Sequence, residues 1–339
     1  MIEQATDTRE TCPACGEPAM APWRMATPAN PGLGRGGPYL FLRCSRCGSA
    51  KLAVGSAAPS DEELYEGGTY RPARRSLGRP LEWLRGISVR DRLRLLALSA
   101  GERAVEVGAG RGGFLAALER GGADVIGIEP SPGACGAARA RGLAVQNRSI
   151  EDAEVASGSR DLVVIWHVLE HLERPESALA RTRRWLDDEG RIVIATPNLA
   201  SLQARLGGDR WFHQDVPRHR VLFTPEGLAM LLQRSGFTPM RTRQLMIDQS
   251  LLGMWLTLLN GLTAGRDVPF RFLKRDLRYE RRGVAMRDAA VTLLLGPLLI
   301  PVAVLLELGA ALAGRGGSVM IEARLAGGSP ALEPAEGRD

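Results

Sequence analysis

"RAVEVGAGRGG", residues 103–113, sets an alternating apolar run against a cluster of glycines. The Ala and Val positions predict a strand, and Gly108, Gly110 and Gly113 follow it in G-x-G-x-x-G spacing. The next segment, "GFLAALERGG", has its apolar residues at helical spacing. Strand, glycine turn and helix in that order let a backbone come close to a bound nucleotide. Glu129 closes the following strand, "DVIGIEP", about 20 residues on, where a carboxylate can hold both hydroxyls of a ribose. These features imply an adenosine-containing cofactor, and their spacing alone leaves its remaining part open.

Outward from this stretch, strand and helix patterns alternate. The helix "SVRDRLRLLALSAGE" precedes it. After it come helix "GACGAARARG", strand "LAVQNRSI", strand "DLVVIWH", a helix through "SALARTRRWLDDEG" and strand "RIVIATPN". Runs of Val and Ile separated by helices predict an α/β fold whose doubly wound parallel sheet is buried on both faces. Ligands then belong at the carboxyl ends of its strands. Helix "GLAMLLQRSGF" and strands "TPMRTRQLMI" and "GRGGSVMIEARL" complete the pattern. The lone Cys135 is expected to be a helix residue near the binding site.

Four of the five cysteines form two C-x-x-C pairs, "CPACG" and "CSRCG". Each pair presents two thiolates from a tight turn, and Cys12, Cys15, Cys44 and Cys47 together make a closed tetrahedral set for a structural Zn2+. This predicts a zinc-ribbon module over 1–55, then a linker and helix over 56–90, and the α/β domain over 91–325. The Gly/Pro/Glu-rich tail 326–339 is expected to be disordered.

Two long apolar segments, 250–265 and 289–313, lie on either side of an arginine-rich connection. They predict an apolar helical hairpin insertion over 249–313, before the last strand. The second segment is long enough to cross a bilayer, but Pro297, Pro301 and Glu307 are expected to interrupt a simple span. Interfacial contact, with arginines facing anionic headgroups, is the preferred reading over a lid or dimer interface. The 339-residue chain carries a formal charge of +6, compatible with nucleic acid, an anionic membrane or a phosphorylated substrate. Its polar N-terminus lacks a basic start and an apolar segment, so a cytoplasmic location is expected, peripheral on the inner membrane face.

Glu106, two residues before Gly108, would repel a pyrophosphate and would counter a cationic amino-acid moiety. Together with "VIGIEPS", "RDLVVIWHVLEHLERP", "GRIVIATPN" and "WFHQDVPRHRVLFTPEGLAMLLQRSGF", this stretch makes residues 85–325 resemble the class I S-adenosylmethionine-dependent methyltransferases. The resemblance implies a seven-stranded sheet with "SVMIEARL" as its antiparallel last strand, and methyl transfer from S-adenosyl-L-methionine. It places Glu106, Gly108, Gly110 and Gly112 along the methionine and ribose, Glu129 on the ribose hydroxyls, and Ser149 and Ile150 at the adenine edge. Trp166 and His167 fall beside the methionine end.

All four histidines, His167, His171, His213 and His219, fall within 53 positions of one another. Histidine accepts protons near neutral pH, so a general base is sought among them. His219 is the first choice, His171 the second, and His167 a further catalytic candidate. His213 and Trp211 are expected to line the same entrance. "HVLEHL" is similar to the E-x-x-E-H segment of ubiquinone-pathway O-methyltransferases, which is associated with a divalent metal; here His167 replaces the first glutamate, weakening the case for a hard cation at Glu170 and His171.

The zinc module and basic hairpin resemble bacterial methyltransferases of glycan, lipid and natural-product pathways. This implies O- or C-methylation of a small-molecule, glycan or lipid-linked acceptor. The alternatives are a ribosomal RNA methyltransferase and a non-catalytic cofactor-binding scaffold. Nucleic acid is disfavoured as a partner because the ribbon is poor in aromatic and basic residues, and the strand-end sequence "TPN" lacks the Asn-Pro-Pro-aromatic pattern of amine methylation. Intact glycines and histidines argue against a scaffold.

Overall fold

The computed structural model describes residues 10–28, 38–53, 78–273 and 282–327. Positions 56–77 of the expected linker and 328–339 of the expected tail lie outside them.

Three short strands open the chain, β1 (Ala21–Ala26), β2 (Tyr39–Arg43) and β3 (Ala50–Leu52). Helix α1 (Gly78–Leu96) leads into β4 (Arg103–Val107), α2 (Leu115–Arg120), β5 (Asp124–Ile128), α3 (Pro132–Arg139) and β6 (Val145–Gln146). Next come β7 (Arg160–Trp166), a 3-10 turn (Leu169–His171), α4 (Pro175–Trp185) and β8 (Leu186–Pro197). Then follow α5 (Leu202–Gly207), β9 (Val221–Leu222), α6 (Pro225–Arg234) and β10 (Phe237–Arg243). Helices α7 (Ile247–Leu262), α8 (Val268–Leu273) and α9 (Arg282–Leu312) precede β11 (Ser318–Leu325).

Seven strands form one sheet in the order β10-β11-β8-β7-β4-β5-β6. The pairs among β4 to β8 are parallel, and β11 runs antiparallel between β8 and β10. The expected doubly wound sheet with an antiparallel last strand is therefore present. Leu162, Val163, Val164 and Ile165 of β7 are completely buried, which is why this central strand is a continuous apolar run and not an alternating one. From β4 the chain winds first toward β6 and then, through β7, toward β8. The reversal opens a crevice at the carboxyl ends of β4 and β7.

A second sheet has the order β1-β2-β3-β9. Its last strand comes from the α/β part of the chain, with Ala50 opposite Leu222 and Lys51 opposite Val221. The cysteine knuckles are thus sewn onto the larger sheet's helices. Thr224, the N-cap of α6, donates to the Cys47 carbonyl at 2.6 Å, and all four cysteines share a core with Leu228, Leu231 and Phe223.

Four local expectations are corrected. The helix expected through Gly190 ends at Trp185, because Leu186 already pairs with Arg160 of β7. The strand expected over 143–150 is two residues long. Strand β10 stops at Arg243, and Ile247 starts a helix. Pro297 and Pro301 do not interrupt the second apolar segment: α9 runs unbroken for 31 residues. Both prolines lie on its exposed side, where the missing backbone bonds leave no inward-facing group unpaired.

Candidate active site

The glycine loop after β4 holds Gly108, Gly110 and Gly112 at φ of +74°, +55° and +73°. Gly108 is required for a second reason. A β-carbon there would meet Cγ2 of Val168 at 2.3 Å, so the loop lies directly on the chain leaving β7. Glu129, just past β5, accepts from the Gly110 N–H at 2.8 Å and the Ser131 N–H at 2.9 Å. Burial raises its pKa, while these two bonds oppose the shift. The Asn147 amide fixes the same turn by donating to the carbonyls of Glu129 and Pro130.

Glu106 is buried, and burial pushes its carboxyl up to about 8, with Arg92 pulling the other way and Glu129 adding to the rise. Its Oε2 has no partner among the described residues, and neither does Nε1 of the buried Trp166. Two orphaned polar atoms at the rim of a glycine loop fit a ligand that carries both a cation and acceptors. Arg92 of α1 lies 5.1 Å from the Trp166 ring and 5.5 Å from that of Phe114. Sequence reasoning missed Arg92, since nothing in "SVRDRLRLLALSAGE" separates one arginine of an amphipathic helix from the next. Ser149 donates to Asp152 at 2.8 Å, and the Ile150 side chain packs in the core.

The structure brings all four histidines together at the neighbouring strand ends. His167 has φ +54°, a left-handed conformation rare for a residue with a side chain, and such strain concentrates at functional positions. Its Nδ1 faces Glu170 Oε1 at 3.2 Å, and its ring stacks on that of His213 with centroids 6.2 Å apart. The rings of His171 and His219 meet edge to face at 4.7 Å. Nδ1 of His171 donates to the Arg218 carbonyl and Nδ1 of His219 to the His213 carbonyl, at 3.0 and 2.7 Å. A carbonyl only accepts, so in each neutral ring Nε2 carries the lone pair.

Burial and the nearby His171 lower His219 to about 4; Glu170 and Asp215 only partly offset this. Burial likewise lowers His213 to about 3. Both imidazoles are therefore neutral at physiological pH. Glu170 is also buried, yet the hydrogen bond from His167 and the neighbouring rings hold it down to about 2, and it is a carboxylate. Ligand atoms of Glu170, His171 and His219 lie within 4.8 Å of one another, a grouping that leaves out His167. Trp211 stands edge-on to His213 with centroids 5.8 Å apart. His219 joins the cluster through a loop 48 residues beyond His171, a proximity visible only after folding.

At the other site, Cys12 and Cys47 have sulfurs 3.7 Å apart and Cys15 and Cys44 3.5 Å apart, all four being buried free thiols. Four sulfurs around one Zn2+ stand roughly 3.8 Å apart, from Zn–S bonds of about 2.3 Å, so the donor set fits that ion. Cys135 is buried in α3, its sulfur 3.9 Å from the Val145 carbonyl.

Residues 81–242 match a family model described as a methyltransferase domain. A ubiquinone biosynthesis O-methyltransferase of Methylococcus capsulatus is 37% identical over 32% of this chain and 48% of its own length. One from Cereibacter sphaeroides is 28% identical over 41% of this chain and 61% of its own. The chain thus spans about half to three fifths of these two relatives. A solved S-adenosylmethionine-dependent methyltransferase from Archaeoglobus fulgidus shares 18% identity, with TM-score 0.46, over 78% of this chain and 97% of its own. With the strand order and glycine loop above, the match over residues 81–242 supports a class I S-adenosylmethionine-dependent methyltransferase domain there.

Proposed function

We propose that the chain moves the methyl group of S-adenosyl-L-methionine onto a hydroxyl or carbon of a small-molecule, glycan or lipid-linked acceptor at the cytoplasmic face of the membrane. The observation that carries this is the contact of the glycine loop with the histidine cluster, Gly108 against Val168, one residue from His167. Cofactor and acceptor sites are then neighbours. The names of the two curated relatives favour oxygen over carbon.

Glu129 would hold the ribose hydroxyls, the backbone around Ser149 and Ile150 the adenine edge, and Glu106 with Arg92 the charged methionine end. When bound, the cofactor supplies a methyl group on a sulfonium that is already a good leaving group. The protein's task is alignment and proton removal. His219 would take the acceptor's proton at Nε2, and the Glu170 carboxylate would stabilise the imidazolium that forms. His171 is the second candidate, and His167 orients Glu170. Zn2+ at the four cysteines would have a structural role, fixing β3 and therefore β9, whose strand begins two residues after His219.

The test follows labelled methyl groups from the cofactor into a bacterial lipid extract and into RNA. Incorporation into lipid, lost in both His219→Ala and His171→Ala with cofactor binding intact, is expected. Incorporation into RNA alone, or full turnover in both variants, would overturn the reading.

A further inference from the structure

Helix α9 packs one narrow stripe on the protein. Asp288, Gly296, Ala303, Glu307 and Ala310, at helical spacing, are buried. On the opposite side Leu294, Leu298, Leu305 and Leu312 follow one line along the axis, 71%, 67%, 71% and 91% exposed. No charged residue occurs from Ala289 to Leu306. An apolar surface of this length is far more than a water-facing helix carries.

The acidic groups of the inner stripe and the Gly296 carbonyl are bonded within the protein, while Thr292 Oγ1 on the same face is buried without a partner among the described residues. Asp288 accepts from the N–H groups of Ala264 and Gly265 at 2.9 and 2.7 Å. The Gly296 carbonyl accepts from Trp255 Nε1 at 2.8 Å, and Glu307 accepts from Gln203 Nε2 and the Gly317 N–H, both at 2.6 Å. A helix that turns its acidic side chains inward and chiefly apolar side chains outward suits a lipid surrounding. Basic residues mark its two ends, with exposed Arg282 and Arg287 at one and Arg315 at the other, as anionic headgroups favour. The apolar surface continues onto α7 and α8 through Leu252, Leu262 and Phe272.

The same contacts decide the orientation. Asp288 and Glu307 are 19 residues apart, roughly 29 Å along a helix, close to the thickness of a hydrocarbon core. Both are bonded to the body of the domain, and so is Gly296 between them. A spanning α9 would drag α5, α7 and the edge of the large sheet into the bilayer. We infer that α9 lies in the plane of an anionic membrane, its leucine line immersed along the whole length, and does not cross it.

This arrangement brings the site to the membrane surface. Helix α7 lies between α9 and the histidines: Trp255 faces Gly296 on one side, and the Gln249 carbonyl accepts from His213 Nε2 at 3.4 Å on the other. Delivery of a lipid-linked acceptor from the membrane rests on the proposed function. The in-plane insertion of α9 does not.

The test uses the full chain and sealed vesicles of phosphatidylethanolamine and phosphatidylglycerol. The parent is expected to float with the vesicles and to stay bound in roughly 1 M salt, where charge contacts are screened. Leu294→Glu, Leu298→Glu and Leu305→Glu together should cut the bound fraction at least about tenfold. Binding of S-adenosylhomocysteine, which reports that the domain is folded, should change less than about twofold. Cysteines placed by Arg287→Cys and Arg315→Cys, each tested alone on bound protein, should both react with an impermeant maleimide added outside. Protection of one end means a spanning helix, and failure of the parent to float means no membrane site; either overturns the inference. A vesicle-free dimer dispersed by the triple substitution, with no flotation, would assign the face to a second copy. If flotation and labelling behave as expected while methyl transfer fails, only the proposed reaction is refuted.

Discussion

Gly108→Ala is expected to damage cofactor binding through two separable effects. The residue sits at φ +74°, which costs a side-chain-bearing residue about 1–2 kcal/mol. The added methyl also lands 2.3 Å from Cγ2 of Val168 while Cβ and Cγ1 of Val168 stay at 3.5 Å, so only the one methyl clashes. Forcing a carbon into such a space costs about 1–3 kcal/mol. The two terms sum to about 2–5 kcal/mol, a loss of roughly 30-fold to several thousand-fold in affinity if the loop must keep this shape to bind. Val168→Ala removes the clashing atom and leaves Cβ at an ordinary contact distance. The double variant should therefore recover the steric part and keep a deficit of roughly 5- to 30-fold from φ alone. Calorimetric titration with S-adenosylhomocysteine on parent, both single variants and the double variant closes the cycle, and thermal unfolding checks the fold. Unchanged affinity in Gly108→Ala, or no recovery in the double variant, would refute the placement of the loop on the end of β7.

Three further outcomes follow from the charges and sulfurs. Glu106 has its pKa raised to about 8, so it is mostly protonated at pH 7, and a cationic amino group arriving beside it should expel that proton. Titrations of S-adenosylmethionine at pH 7 in buffers of different ionisation enthalpy should show proton release that disappears in Glu106→Gln; equal release in both would dissociate Glu106 from the cofactor. His219 and His213 have folded-state values below the unfolded 6.5, so the unfolded chain binds more protons as the pH falls, and stability present above about 6.5 should drain away toward 4. The His219 share is on the order of 3 kcal/mol, and His219→Gln should flatten urea-derived stability between those limits. Finally, Cys47→Ser should lower both bound zinc and the unfolding midpoint, and protease should cut near residues 218–222 sooner than in the parent, because β3 no longer holds β9. Normal cleavage there in a zinc-depleted variant would contradict that coupling.

The parts of the molecule set by local pattern were legible in the sequence. The Val and Ile runs of β4, β5, β7 and β8 encode strands buried on both faces, Gly108 to Gly112 encode a turn that needs positive φ, and the paired C-x-x-C knuckles encode a four-sulfur site. Each of these depends on residues adjacent in the chain. The tertiary structure decided what depends on residues far apart. It set His219 against His171 across 48 positions and placed Arg92 of α1 over Trp166. It turned Val221–Leu222 into the fourth strand of the cysteine module's sheet and kept α9 straight through two prolines on its outer side. The physical reason is that a side chain's partners across the fold, and its solvation with them, leave no periodicity in the chain. Glu106 in β4 and Glu170 in the turn after β7 are both glutamates near the carboxyl ends of adjacent strands. Burial makes the first an acid at about 8, and three neighbouring imidazoles keep the second a carboxylate at about 2.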